Sequence, residues 1–206
     1  MATAEFRVSC ESPNIIESKS FKLYLNSFNL SRFESMERVR QHLLEDLSQA
    51  AGAPVTVVIQ SVEATARIDQ LQGECLDQQD VEIEHYQPAP QLLRTLQGEQ
   101  TEAQLYSHLL KSNCPVTGQP DWASIQIDYR GEPIDKEGLL KYLVSYREHG
   151  DFHEQCVEQI FLDIFDHCHP EQLSVYARYV RRGGLDINPF RSTEAFSPDN
   201  IRLLRQ

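Results

Sequence analysis

The chain has 206 residues, 40% of them apolar, and a formal net charge of −12. That length suits one large domain or two small ones with a buried core. The acidic balance argues against extended contact with nucleic acid or an anionic membrane, both of which depend on clustered Lys and Arg. Cys10, Cys75, Cys114, Cys156 and Cys168 are odd in number and widely scattered, which reads as reduced thiols with no disulfide framework. Apolar runs such as Val55 to Ile59 are far too short to span a bilayer, so a soluble, cytoplasmic protein is expected. There is no CxxC pair, HExxH, GxGxxG or Walker loop. No metal is therefore expected, and a nucleotide cofactor must be held another way.

Glu5 to Ser9 predicts a short strand, and Ser20 to Asn29 a helix. From Met36 to Ala51 the apolar residues Val39, Leu43, Leu44 and Leu47 fall on one helical face, with Gly52 as the stop. After Pro54, Val55, Val57 and Ile59 alternate with polar neighbours as a strand does, and Gly73 to Ile83 is the expected partner strand. Tyr86 to Gln100, with Pro88, Pro90 and Gly98, reads as a linker.

The pattern then restarts. Leu105 to Cys114 and Ala123 to Arg130 predict strands, Lys136 to Glu148 a helix, and His153 onward a stronger helix with Val157, Ile160, Phe161, Ile164 and Phe165 on its core face. Ser174 to Arg182 and Leu185 to Arg191, split by Gly183-Gly184, predict a hairpin. The organisation is thus 1–85 as a first half, 86–104 as a linker and 105–206 as a second half. The halves read β-α-α-β-β and β-β-α-α-β-β, which points to internal duplication in an α+β class with helices on one face of antiparallel sheets. The opening strand that the first half lacks would leave a sheet edge for another subunit to cover.

One run carries chemistry. In Ser112-Asn113-Cys114-Pro115-Val116-Thr117-Gly118-Gln119-Pro120-Asp121-Trp122, a thiol and a carboxyl flank a turn, so both groups could stand at the ends of neighbouring strands. They are a candidate nucleophile and proton donor. Equally, a free Cys is often a small buried hydrophobe, and Asp after Pro often only closes a turn.

Together with Glu17-Ser18-Lys19-Ser20-Phe21-Lys22-Leu23-Tyr24 and Phe152-His153-Glu154, this run resembles the NADPH-dependent 7-cyano-7-deazaguanine reductases, the QueF nitrile reductases, in their two-half form. The resemblance implies tandem tunnelling-fold halves, as in GTP cyclohydrolase I, and reduction of a nitrile to a primary amine with two NADPH on the path to the tRNA nucleoside queuosine. Longer members of the family carry a further N-terminal segment that includes the absent strand. This chain therefore reads as beginning near the family's second strand.

By the same resemblance Cys114 adds to the nitrile as a covalent thioimide, Asp121 transfers a proton, and His153 stands at the substrate and relays a proton. Ile16, Glu17, Ser18, His153 and Glu154 contact the 7-deazapurine, a carboxylate accepting its paired N–H edge. Ser18, Lys19, Arg182 and Gly183 receive NADPH, with Arg181 a further candidate. A homodimer or higher homo-oligomer is implied. Taken alone, Glu154 could be the last member of an Asp151-x-x-Glu154 capping box, Glu17 a solvated charge and His153 a surface residue at a helix start. A cyclohydrolase-like relative would need a metal, for which His108 and Cys114 are the nearest ligands. A purine-binding module without catalysis would keep Glu17 and Glu154 and have no use for Cys114 with Asp121.

Overall fold

In a computed structural model, which describes residues 1–63 and 68–206, the chain divides into two units, residues 1–66 and 67–206. The first unit runs β1 (Ala2–Val8), α1 (Ser18–Phe28), α2 (Met36–Ala51), β2 (Val55–Ser61). Its strands pair antiparallel with each other, from Ala2 opposite Ser61 to Val8 opposite Val55. The partner of β2 is therefore β1, where the sequence suggested residues 73–83. Leu43, Leu47 and Ala51 of α2 are buried together with Val55 and Val57 of β2, and Gly52 ends α2 in the left-handed conformation at φ 69°. That geometry is almost free of strain only for glycine.

The second unit contains β3 (Ile68–Asp69), β4 (Glu74–Cys75), β5 (Thr101–Asn113), β6 (Pro120–Gly131), α3 (Lys136–Ser145), α4 (His153–Cys168), β7 (Gln172–Tyr179), β8 (Phe190–Ser192) and β9 (Arg202–Leu203). Five strands form one sheet in the order β4-β5-β6-β7-β8. Its pairings are antiparallel except for β4, which runs parallel to β5. Ile125, Ile127 and Tyr129 of β6 share a buried cluster with Leu139, Leu140 and Leu143 of α3 and Val157, Ile160 and Ile164 of α4. Each such aliphatic side chain contributes about 1.5–3 kcal/mol by leaving water. The class is α+β, as the sequence implies.

Several elements depart from the expectation. Residues 86–104 run along the second unit, where Ala89 and Leu93 are buried and Thr95 bridges to Ile134. On α4, Phe165 is 40% exposed while Cys156 and Asp163 lie inside. Asp163 is accommodated there because it accepts hydrogen bonds from Tyr142 and from Gln159 Nε2, as a buried carboxylate must. The strand after Gly183-Gly184 pairs with β7 only from Phe190 onward.

One irregularity positions the site. The β5–β6 register slips between Ser107 and Leu110, so His108 and Leu109 together oppose Ser124. Such a bulge changes which residues face inward. Before it Leu105 and Ser107 are buried, and after it Leu110 and Ser112. Asp77 pins the bulge, accepting from Ser107 Oγ at 2.6 Å and His108 N at 3.0 Å.

Candidate active site

The β5–β6 hairpin carries Cys114 just past its first strand and Asp121 near the start of its second. Ser112 lies opposite Asp121 and Asn113 opposite Pro120. Between them the chain makes a tight turn, with Cys114 N donating to the Gln119 carbonyl and Gly118 N to the Cys114 carbonyl, both at 2.9 Å. Gly118 takes φ 68°, which lets the turn close without strain. Asn113 fixes the end of β5 to the segment before α4, donating its backbone N–H to the His149 carbonyl and accepting from Asp151 N.

Asp121 faces the same side of β6 as Ala123, Ile125 and Ile127, and it is only 8% exposed. Two groups meet it there. His153, the first residue of α4, places Nε2 3.2 Å from Asp121 Oδ2. Arg182, just beyond β7, places Nη1 3.2 Å from Asp121 Oδ1. The imidazole of His153 lies flat on the ring of Tyr179, with centroids 3.9 Å apart and planes 16° from parallel. Tyr179 in turn is opposite Ala123 on the sheet.

The thiol of Cys114 is brought down to about 7. Burial raises it, but hydrogen bonds from the Thr117 hydroxyl, from the backbone N–H groups of Thr117 and Val116, and from Arg182 outweigh that. By contrast, burial pushes Cys156 up to about 12 and Cys168 up to about 11. Of these three thiols, Cys114 is the one brought toward ionisation at neutral pH.

Glu154 is half-buried one residue along α4 from His153. The capping box is not formed. The cap position is Phe152, no side chain caps the helix, and Asp151 Oδ1 instead accepts from Phe152 N at 2.8 Å. Arg182 and Leu185 close a two-residue turn in which Gly183 and Gly184 take φ 64° and 83°. A side chain at Gly184 would meet nothing within 4 Å, so the backbone of the turn is open there. Arg181 also pairs with Asp186, at 3.9 Å.

Ile16, Glu17, Ser18 and Lys19 belong to the first unit. There Glu17 is the cap of α1, accepting from Lys19 N at 2.8 Å and Ser20 N at 2.7 Å, and those backbone bonds hold its carboxyl below the usual range. It is a structural cap as well as a surface charge. His108, a ligand in the metal-site alternative, has Nδ1 2.7 Å from Ser124 Oγ. Among the described residues no three His, Cys, Asp or Glu side chains are grouped to hold a metal ion, and no helix is long and apolar enough to cross a membrane.

The sequence reading missed Thr117 as a donor to the thiol, Tyr179 as the support of His153 and Arg182 as the partner of Asp121. Thr117 had a signal, since it lies inside the turn that joins Cys114 to Asp121. Tyr179 and Arg182 had none, because sheet pairing alone brings them near.

Comparison with known proteins gives a consistent placement. A family profile described as "Nitrile reductase, 7-cyano-7-deazaguanine-reductase N-term" matches residues 1–59, and one described as "QueF-like protein" matches residues 120–197. An NADPH-dependent 7-cyano-7-deazaguanine reductase of Dechloromonas aromatica (strain RCB) is 58% identical over 209 residues, covering 100% of this chain and 74% of that protein. Its counterpart in Bordetella avium (strain 197N) is 57% identical over 209 residues, covering 100% and 77%. A solved structure, the archaeosine synthase QueF-Like in its apo form, overlaps 50% of this chain and 100% of its own with TM-score 0.41 and 14% identity. That likeness is too slight to carry an argument. With relatives this similar along its whole length, the chain belongs to the family of NADPH-dependent 7-cyano-7-deazaguanine reductases.

Proposed function

We propose that this chain reduces 7-cyano-7-deazaguanine to its 7-aminomethyl product with two NADPH per turnover, in queuosine biosynthesis. The observation that carries the reading is a cysteine brought down to about 7 at one end of a hairpin turn, with a buried aspartate opposite. A nitrile resists direct hydride attack, and capture by a thiolate divides the reduction into easier steps.

Cys114 Sγ adds to the nitrile carbon, a C–S bond forms and one C–N π bond breaks, and the nitrogen takes a proton from Asp121. The product of this step is a thioimide on Cys114. NADPH, when bound, supplies a hydride for each of the two reductions. Once the first hydride has reached carbon, the C–S bond breaks, the electron pair returns to Sγ and an imine remains to be reduced. His153, within reach of Asp121, moves the protons that the nitrogen takes up in these later steps.

Glu154 accepts from the N–H edge of the deazapurine. Glu17 retains lone pairs beyond the two that cap α1 and can accept in the same way, with Ile16 and Ser18 beside it. The open Arg182-Gly183-Gly184 turn suits a phosphate, so Arg182 and Gly183, with Ser18 and Lys19, are assigned to NADPH. The two profiles matching in tandem support reading the chain as paired tunnelling-fold halves, acting as a homodimer or larger homo-oligomer.

Intact mass after incubation with 7-cyano-7-deazaguanine in the absence of NADPH tests the central step. The expected result is an added mass equal to the nitrile on the native chain and none on Cys114→Ala. Folded native protein without the adduct would overturn the reading.

A further inference from the structure

The site is put together from two pieces of the second unit. Cys114 and Asp121 stand on the β5–β6 hairpin, whereas His153 and Glu154 open α4. Strand pairing fixes the first piece. The second follows residues 149–152, a stretch outside the regular helices and strands, and among the described residues no side chain caps α4. Val157, Ile160 and Ile164 anchor the body of that helix in the core. Apolar packing is non-directional, so the placing of the first turn against the hairpin falls to hydrogen bonds.

Asn113, the residue before Cys114, supplies them on all four of its polar atoms. Its N–H donates to the His149 carbonyl at 2.8 Å, and its carbonyl accepts from Asp151 N at 3.1 Å. Its Nδ2 donates to the Arg147 carbonyl at 3.2 Å, and its Oδ1 accepts from Lys111 Nζ at 2.7 Å. Lys111 Nζ closes the ring by donating to the same Arg147 carbonyl at 2.6 Å. Only this orientation of the amide satisfies both neighbours, since the reverse would set an NH2 group against an ammonium. A Cβ on Gly150 would lie 3.9 Å from both the Asn113 carbonyl oxygen and Pro115 Cα, so the segment passes along both flanks of Cys114.

Any residue at 113 could make the two backbone bonds. The amide and the ammonium are what this sequence adds, and both converge on a carbonyl in the turn Tyr146–Glu148 that follows α3. Carbonyls at such an end carry partial negative charge, which a cation complements.

We propose that Asn113, with Lys111 behind it, is a positioning residue for the reaction: its side chain ties the segment before α4 to the strand that ends at Cys114, and so sets His153 against Asp121. This rests on the roles proposed for His153 and Asp121.

The test separates the two pieces in the full chain. Iodoacetamide modification of Cys114, read on its own peptide because Cys10 is also exposed, needs the hairpin alone, and the turn's own bonds and the Thr117 and Val116 donors persist in the variants. Turnover needs both pieces. Asn113→Leu is close in size and makes none of the side-chain bonds. Its kcat/KM is expected to fall about ten- to a hundredfold, the scale of a misplacement of about 1 Å, with the alkylation rate within about twofold of native at each pH. Lys111→Met should lose about three- to tenfold in kcat/KM, and Lys111→Arg, which keeps a cation with several donors, should stay within about twofold of native.

The place of His153 is read directly, without nitrile or NADPH, from its imidazole C–H resonances, identified by their loss in His153→Asn. Face-to-face stacking on Tyr179 displaces these signals through the ring current, and in Asn113→Leu they should move toward the positions of an exposed histidine. Lys111→Met carries the same readouts if the leucine variant does not fold. Native kcat/KM in these variants, or His153 resonances where the native chain has them, would overturn the proposal. Alkylation slowed in proportion to turnover would overturn it too, by making the bonds a general support of the fold. A native chain that forms no nitrile adduct, with the His153 resonances moving as expected in the variants, would instead remove the reductase reading and leave the positioning of His153 standing.

Discussion

Asp121 Oδ2 and His153 Nε2 stand 3.2 Å apart, and the other oxygen of the same carboxyl faces Arg182. A buried carboxyl with both oxygens engaged is fixed in direction, which is what proton delivery to a nitrile nitrogen beside Cys114 requires. Asp121→Asn keeps the shape and cannot give up a proton as an acid. We expect turnover to fall about 10²–10⁴-fold, while iodoacetamide still modifies Cys114 at neutral pH because the Thr117 and Val116 donors to the thiol remain. Native turnover in the variant would exclude Asp121 as the proton donor.

The flat contact of His153 with Tyr179 makes a separate prediction. The Tyr179 hydroxyl is buried without a well-formed hydrogen bond, so its removal in Tyr179→Phe should cost little in stability or turnover. Tyr179→Leu removes the ring on which the imidazole rests. An aromatic contact of this kind contributes about 0.5–1.5 kcal/mol, and turnover should drop up to about tenfold with little change in KM. Equal behaviour of the two variants would mean that the ring does not hold His153.

How far the site could be read from sequence depends on the range of each interaction. The Cys114–Asp121 pairing was legible because both residues belong to one hairpin and the turn chemistry between them is local. The helices of 36–51 and from 153 onward were legible from periodicity, and Gly52 from its position. The bulge at His108-Leu109 was not, although the adjacent pair Leu109-Leu110 breaks the alternation there, because only the pairing with Ser124 shows which leucine faces inward. The partner of β2 was missed for a related reason. β1 lies about fifty residues earlier in the chain, and alternation identifies a strand without saying what it pairs with. Arg182 was assigned to NADPH through the family resemblance, and its place against Asp121 follows from β7 lying next to β6, a long-range fact.

Glu17 gives a prediction confined to the first unit. As the cap of α1 it satisfies two backbone N–H groups, and no other acidic residue lies in the first turn. Glu17→Ala should cost about 0.5–2 kcal/mol, the usual scale for a lost cap. Because the folded carboxyl is held below its ordinary range, the cap's contribution is complete above the unfolded value of about 4.3 and disappears as pH falls through the lower folded value. The Tm difference between native chain and variant should therefore be largest near neutrality and shrink toward zero in strong acid. A difference independent of pH would show that ionisation of Glu17 contributes nothing to the cap.

Thr117 is the residue whose loss should be most visible in the chemistry of Cys114. Burial raises the thiol, and the Thr117 hydroxyl is the largest of the influences that bring it back to about 7. Thr117 Oγ1 also accepts from Gln119 N at 3.3 Å, which helps to hold the turn. Thr117→Val removes the hydroxyl but leaves the backbone donors, whereas Thr117→Ser keeps both functions. Nitrile capture by the native chain should be complete above the thiol's half-point and be lost as pH falls through it. In Thr117→Val that loss begins at higher pH, by about 0.5–1 unit, and the rate of adduct formation at pH 7 falls about two- to fivefold. The two rates should converge in alkaline solution, where both thiols are ionised. Profiles differing by the same factor at every pH would mean that Thr117 acts on the shape of the turn and not on the charge of Cys114, and the serine variant, matching the native chain throughout, separates a lost hydroxyl from a disturbed fold.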